Sequence, residues 1–369
     1  MVTISFLSIL GILYSINQDK YFRIFFIITF LSKIIISLLL FYYYKYDISN
    51  IFGDQLVYIE YALNVYKSDN PFGTHGNISH YLYVYMLTIL LNIYDSLFIS
   101  TIDLVFSQVL VSILTHLYFY FIISEFILIK KSVFKISLIT LFFLTMYSYN
   151  IFLIRDSWFF LLFIMSIYYL VKLNKTSKKK YLIYLVLSLV MLLQMRFFTS
   201  LFFIVAYYVA FTKNKFKMIV LFFSSFIFFI SAFSLFYNAN MIHGYLMRLL
   251  ELENLIEFIF YNIEGFFNLS FIRYGEYSIA FKFIRLFIPE TIFVLISTYF
   301  MFKLKKYKIY YLDTLIKFII ILTFFHISTY FFYSGAEWKI RQAGIMSLLF
   351  VILITIKYFI VKKELKHGN

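Results

Sequence analysis

The chain has 369 residues, of which 63% are hydrophobic and only 14% charged, a balance that soluble globular domains do not show. The absence of cysteine excludes disulfides, thiol nucleophiles, iron–sulfur clusters and cysteine-ligated zinc. The formal net charge of +15 belongs to loops between apolar runs, so it reports membrane topology rather than affinity for nucleic acid.

The apolar runs are continuous over about 15 to 22 residues, which predicts helices rather than barrel strands, because a backbone in lipid must satisfy its own hydrogen bonds. The first run, VTISFLSILGILYSI, lacks a basic n-region and a small-residue cleavage site and reads as a retained helix over 2–16. A short QDKYFR turn leads to a second helix over 24–44. Residues 45–100 form a long external segment. It carries Gly53–Asp54, an amphipathic stripe of Tyr58, Tyr61 and Ala62, and a turn-rich NPFGTHGN loop. It ends in an interfacial helix over 80–94 that starts at His80.

Crossings are then predicted over 101–129, 133–153, 157–172, 181–194, 198–212 and 217–237. A second external segment, 238–284, contains LMRLLELENLIEFIFYNIEG, an amphipathic surface helix. Crossings over 286–303, 314–333 and 343–361 complete the chain. The expected fold is all-α: a polytopic transmembrane bundle of about eleven helices in a single membrane domain over 1–369.

Lysine sets the orientation. Clusters at Lys130/Lys131/Lys135, Lys172 to Lys180, Lys213/Lys215/Lys217, Lys303 to Lys308 and Lys362/Lys363/Lys366 place their turns in the cytoplasm and the N-terminus outside. Arginine behaves differently. Of the seven arginines only Arg23 is on the lysine side, whereas Arg155, Arg196, Arg248, Arg273, Arg285 and Arg341 fall at outer helix ends or in outer segments. A guanidinium binds phosphate or carboxylate bidentately and keeps its charge when partly desolvated, so this segregation points to an anionic ligand at the outer leaflet. Arg155, Arg196 and Arg341 each sit at the turn of an apolar hairpin. Most acidic residues, including Asp54 and Asp156, fall on the same side.

Asp54 follows the exit of the second helix, where it serves either as an N-cap or as a general base toward a sugar hydroxyl. The last outer turn, YSGAEWKIRQAGI, places Lys339 and Arg341 beside Trp338, an arrangement suited to a diphosphate. The histidines show no metal-binding spacing, and His80 is the one counted with the substrate-binding candidates. No Walker A loop, GxSxG or GxGxxG occurs, so ATP-driven transport, α/β-hydrolase chemistry and dinucleotide binding are unsupported.

The order of GDQLVYIEYA after the second helix, an IRD hairpin, LVKLNKTSKKKYL and the LQMRFFTSLFF turn resembles the bacterial surface-polysaccharide polymerases of the Wzy type, in particular their EpsG-like branch. The first external segment and the Gly335 to Arg341 element also resemble the GT-C membrane glycosyltransferases. The Gln194–Arg196 turn departs from the EpsG-like branch in lacking a histidine.

The resemblance implies polymerisation of polyprenyl-diphosphate-linked repeat units at the outer leaflet of the bacterial cytoplasmic membrane, in O-antigen or capsule synthesis, with no cofactor. Donor and acceptor would both be lipid-linked glycans, and a chain-length regulator protein would be a natural partner. Arg155, Arg196 and Arg341 would neutralise the leaving diphosphate, with Lys339, Arg273, Arg285 and His80 as further substrate contacts. Asp54 or Asp156 would take the acceptor proton. Two alternatives stay open. A GT-C enzyme would add one sugar from a polyprenyl-phosphate donor, and a flippase for lipid-linked oligosaccharide would carry cations along a cavity reaching both leaflets.

Overall fold

The computed structural model describes residues 19–43, 101–143, 155–195, 197–237, 289–331 and 343–367, together with residues 11, 15, 88, 256, 258–260 and 262–263. All regular structure among them is helical. Ten α-helices can be bounded, in agreement with the expected count of about eleven. Four contain stretches long and apolar enough to cross a membrane: Val109–Phe126, Ser157–Thr176, Tyr310–Ser328 and Gly344–Leu365. The chain divides into two compact units, Met1–Ser200 and Leu201–Asn369.

The first unit contains α1 (Lys20–Tyr43), α2 (Thr101–Phe126), α3 (Lys130–Ser137), α4 (Arg155–Thr176) and α5 (Lys179–Met195). Asp19 starts α1 as an N-cap, its Oδ1 accepting the Tyr21 N–H at 3.0 Å. Its Oδ2 accepts the Tyr120 hydroxyl at 3.1 Å and faces Lys130 Nζ at 3.7 Å, which ties the start of α1 to the end of α2 and the start of α3. Above this clasp, Phe22, Phe25, Phe26, Thr29 and Lys33 form the buried face of α1 at helical spacing. Phe22 and Phe25 pack on the Tyr120 ring with centroids 5.3 and 5.5 Å away. The opposite face, with Leu31, Ile35 and Leu39, is 49 to 62% exposed. Both faces are apolar, and an exterior of that kind is what a bilayer solvates.

Helix α2 also packs against α4, and α4 against α5. Glu125 pairs with Lys172 at 2.5 Å, and the Tyr118 and Tyr169 hydroxyls meet at 3.3 Å. Ser166 and Ser188 hydroxyls meet at 2.9 Å where α4 and α5 pack closely. Ser177 closes α4 in the left-handed region at φ 51°, and its N–H bonds back to Leu173. Its hairpin reverses within Ser177 and Lys178, matching the lysine-rich turn expected there.

The predicted continuous crossing over 133–153 takes a different form. Helix α3 lasts eight residues, tightens into a 3-10 turn over Leu138–Phe142, and reaches extended backbone at Phe143 (φ −86°, ψ 110°). Two hydroxyls bond back to the preceding turn, Ser137 to Val133 and Thr140 to Ser137, and such bonds compete with the α-helical ladder.

Helix α6 (Phe197–Phe211) runs across the unit boundary. The second unit adds α7 (Lys215–Tyr237), α8 (Pro289–Lys303), a 3-10 turn over Leu304–Lys306, α9 (Tyr310–Phe331) and α10 (Ala343–His367). Asn214 caps α7 by accepting the Phe216 and Lys217 N–H groups, and Pro289 occupies the first position of α8, where a missing N–H costs nothing. Helix α10 packs against both α8 and α9, and its stretch from Ile345 to Ile354 is at most 2% exposed. A helix apolar on all sides belongs in such a central place.

Lys357 bonds to Asp313, whose other oxygen accepts the Ile309 N–H at 3.0 Å, so one carboxylate fixes the turn before α9 to the end of α10. Lys317 donates to the Ala210 carbonyl at 3.4 Å, near the C-terminal end of α6. The described lysine turns of this unit therefore gather at one end. The described residues of the second amphipathic segment lie toward the other end of α9. Asn262 accepts from Ser328 at 2.9 Å, Phe258 meets Phe324, and Ile256, Ile259, Phe260 and Ile263 are exposed.

Candidate functional site

Arg155 and Asp156 are the first two residues of α4. Asp54, His80, Arg196, Arg273, Arg285, Lys339 and Arg341 lie outside the described residues, as do the segments 45–100 and 238–284 apart from Thr88 and the six helical residues between 256 and 263. Helix α4 spans 22 residues and sets Arg155 about 26 to 30 Å by helical rise from Lys172 and Lys175, close to a full hydrocarbon thickness. Helical geometry thus separates this arginine from the lysine turn by the length of a membrane crossing.

The described residues build a second polar constellation inside the first unit. Lys33 in the middle of α1 is 1% exposed, and His116 in the middle of α2 is fully buried. Thr140 lies in the 3-10 turn after α3, with its Oγ1 2.8 Å from His116 Nδ1. Counting helical rise from the Asp19–Lys130 clasp, Lys33 lies about 20 Å along α1, Thr140 about 17 Å beyond Lys130, and His116 about 15 Å before the end of α2. His116 and Thr140 meet about 15 to 17 Å by helical rise from the α2–α3 turn, half the depth of a hydrocarbon core of about 30 Å.

The hydrogen bonds fix the roles of these groups. The Thr140 hydroxyl donates to the Ser137 carbonyl at 2.7 Å, so its oxygen accepts from His116 Nδ1–H. The neutral imidazole then carries its lone pair on Nε2. Lys33 is buried on α1, which packs directly against α2. Buried Thr29, Ser112, Thr115 and Ser137 add hydroxyls along the same helices. Of these, Thr115 and Ser137 bond to carbonyls of their own helices. The backbone leaves helical geometry at this same depth, at Phe143, and non-helical backbone inside a membrane is tolerated only within protein or beside a water-filled cavity. A lysine, a histidine and a broken helix in one apolar interior can hold a proton or receive an anionic group.

The sequence contained the signal for this cluster. Lys33 and His116 are the ionisable residues farthest from the ends of apolar helices of 24 and 26 residues, and an ionisable residue inside a membrane helix marks a functional site by default. What the sequence did not contain was the meeting of His116 with Thr140, which depends on α3 ending where it does. Among the described residues, no group of three or more His, Asp and Glu side chains is arranged to hold a metal ion. The chain matches no family model, no curated protein and no solved structure.

Proposed function

We propose that the chain is a membrane glycosyltransferase that polymerises polyprenyl-diphosphate-linked oligosaccharide units at the outer leaflet of a bacterial cytoplasmic membrane. The observation that carries this reading is the separation of arginine from lysine. Lysines fill the turns at one end of each unit, and Arg155–Asp156 opens α4 about 26 to 30 Å from Lys172 and Lys175 near its other end. Topology alone accounts for the lysines and leaves the arginines unexplained.

In the proposed reaction the acceptor sugar hydroxyl attacks the anomeric carbon of the donor. The bond from that carbon to the diphosphate oxygen breaks, and the hydroxyl proton passes to Asp54 or Asp156. Arg155, Arg196 and Arg341 hold the negative charge that develops on the leaving diphosphate, with Lys339, Arg273, Arg285 and His80 as further substrate contacts.

A second reading, translocation of the same lipid-linked glycan, is favoured by the Lys33–His116–Thr140 cluster, because buried ionisable groups at mid-depth mark substrate and proton paths. The lipid-linked glycans of a strain lacking the protein distinguish the readings. Polymerase function predicts single complete repeat units. A truncated unit would instead indicate transfer of one sugar, and complete units trapped on the cytoplasmic leaflet would indicate translocation.

A further inference from the structure

At the lysine end of the second unit, the C-terminal end of α8, the 3-10 turn after it and the last turns of α10 enclose an open cavity of about 620 Å³. Lys303, Lys306 and Lys362 line it together with the rings of Phe300, Tyr307 and Tyr358. Its floor is apolar, with Leu304 and Val361 only 5% and 2% exposed. No carboxylate is among its lining residues: Asp313 is engaged by Lys357, and the exposed Glu364 of α10 does not contribute a wall.

The positive-inside bias asks only that lysines lie in the loops on one side of the membrane. It does not ask that three of them, from two segments separated by the whole of α9, surround one concavity. An anion seated in a concavity lined by three lysines is attracted by each of them. The neighbouring surface identifies what bears that anion. Helix α8 exposes Leu295, Ile296, Tyr299 and Phe302 at 47 to 66% just before the cavity, an apolar face suited to acyl chains. The Lys306 and Lys362 ammoniums lie 5.0 and 5.7 Å over the rings of Tyr307 and Tyr358, so charge and aromatic surface alternate around the rim. A free phosphate would use the ammoniums and leave the aromatic walls and apolar floor uncovered. A phospholipid uses all three surfaces.

We propose that this cavity binds the phosphate headgroup of an anionic membrane lipid in the leaflet on the lysine side. Basic pockets between helices on that side of a membrane are suited to such headgroups. The site is independent of the glycan chemistry proposed above, so its failure and the failure of that reading are separable.

The test uses the full chain purified in a neutral detergent, with cardiolipin as the probe and phosphatidylcholine and inorganic phosphate as comparisons. Cardiolipin is expected to survive detergent exchange and to raise the thermal unfolding midpoint, whereas neither comparison does so. The triple variant K303Q/K306Q/K362Q is expected to lose cardiolipin affinity by about a hundredfold, as three surface ammoniums contribute together. K213Q/K215Q/K217Q, which removes an equal charge from the exposed start of α7, should keep it. The single exposed variant Lys362→Gln, which leaves the floor intact, should lose about fivefold and covers the case of a triple variant that does not fold. Equal loss in the α7 variant, equal binding of phosphatidylcholine, or equal stabilisation by inorganic phosphate would each overturn the proposal.

Discussion

Lys33 decides what the interior of the first unit is for. A buried ammonium is expensive even with partners, and replacing buried ionic groups by apolar side chains of similar size is often stabilising by about 1–4 kcal/mol. Lys33→Met keeps the length of the side chain and removes the amine from a position that is 1% exposed. We expect it to raise the unfolding midpoint by about 2–8 °C, measured on purified protein, with glycan output falling if the interior carries substrate. A lowered midpoint would make Lys33 a structural tie rather than a functional charge. Thr140→Val makes the complementary case. It removes the oxygen that accepts from His116 Nδ1–H while keeping the volume, and should destabilise by about 1–2 kcal/mol. Lys33 and His116 stand in the sequence as ionisable interruptions of apolar runs, whereas Thr140 carries no such mark and its meeting with His116 is not encoded locally. Lys33, His116 and Thr140 come from three separate helices, and no local periodicity encodes which helices meet.

The helices themselves follow the sequence closely where lysine turns punctuate apolar runs. The spans expected over 157–172, 181–194, 198–212 and 217–237 correspond to α4 (Arg155–Thr176), α5 (Lys179–Met195), α6 (Phe197–Phe211) and α7 (Lys215–Tyr237). The break after α3 was not legible, because SLITLFFLTMYSY contains neither proline nor glycine. It coincides with local hydroxyl bonds of Ser137 and Thr140 and with the contact of Thr140 with His116, and only this last is a tertiary event. Helix α5 shows what an element owes to each of its two environments. Leu185, Ser188, Leu192 and Met195 recur at helical spacing and are buried, while Ile183, Val186, Leu187 and Val190 are 50 to 59% exposed. Ser188→Ala should cost only about 0.6 kcal/mol, the usual value for one interhelical hydrogen bond in a membrane. Val186→Lys should cost about 2.5–3.5 kcal/mol of insertion free energy if that face meets lipid. Measured insertion of α5 fused to a reporter separates the two, and equal tolerance at both positions would mean that the exposed face meets water.

At the scale of the whole molecule the orientation is the claim with the widest consequences, since the arginines can meet an outer-leaflet glycan only if the lysine ends are cytoplasmic. The chain is well suited to a direct measurement because it contains no cysteine, so every introduced thiol reports without background. Lys178→Cys lies in the turn between α4 and α5, and Lys308→Cys lies before α9, both at exposed positions at the lysine ends of their units. Asn268→Cys lies in the second external segment expected from the sequence. In intact cells a membrane-impermeant thiol reagent should label Asn268→Cys and leave the other two unreacted until the membrane is permeabilised. Lys178→Cys and Lys308→Cys each remove one lysine from a turn that keeps several, and Asn268→Cys changes no charge, so insertion should follow the remaining lysines. Labelling of Lys178→Cys in intact cells would invert the first unit and carry Arg155–Asp156 to the cytoplasmic side, where a polymerase of translocated units has no substrate. Labelling of Lys308→Cys alone would leave the first unit as proposed and place the anionic-lipid cavity in the outer leaflet, so the two units are tested separately by one experiment.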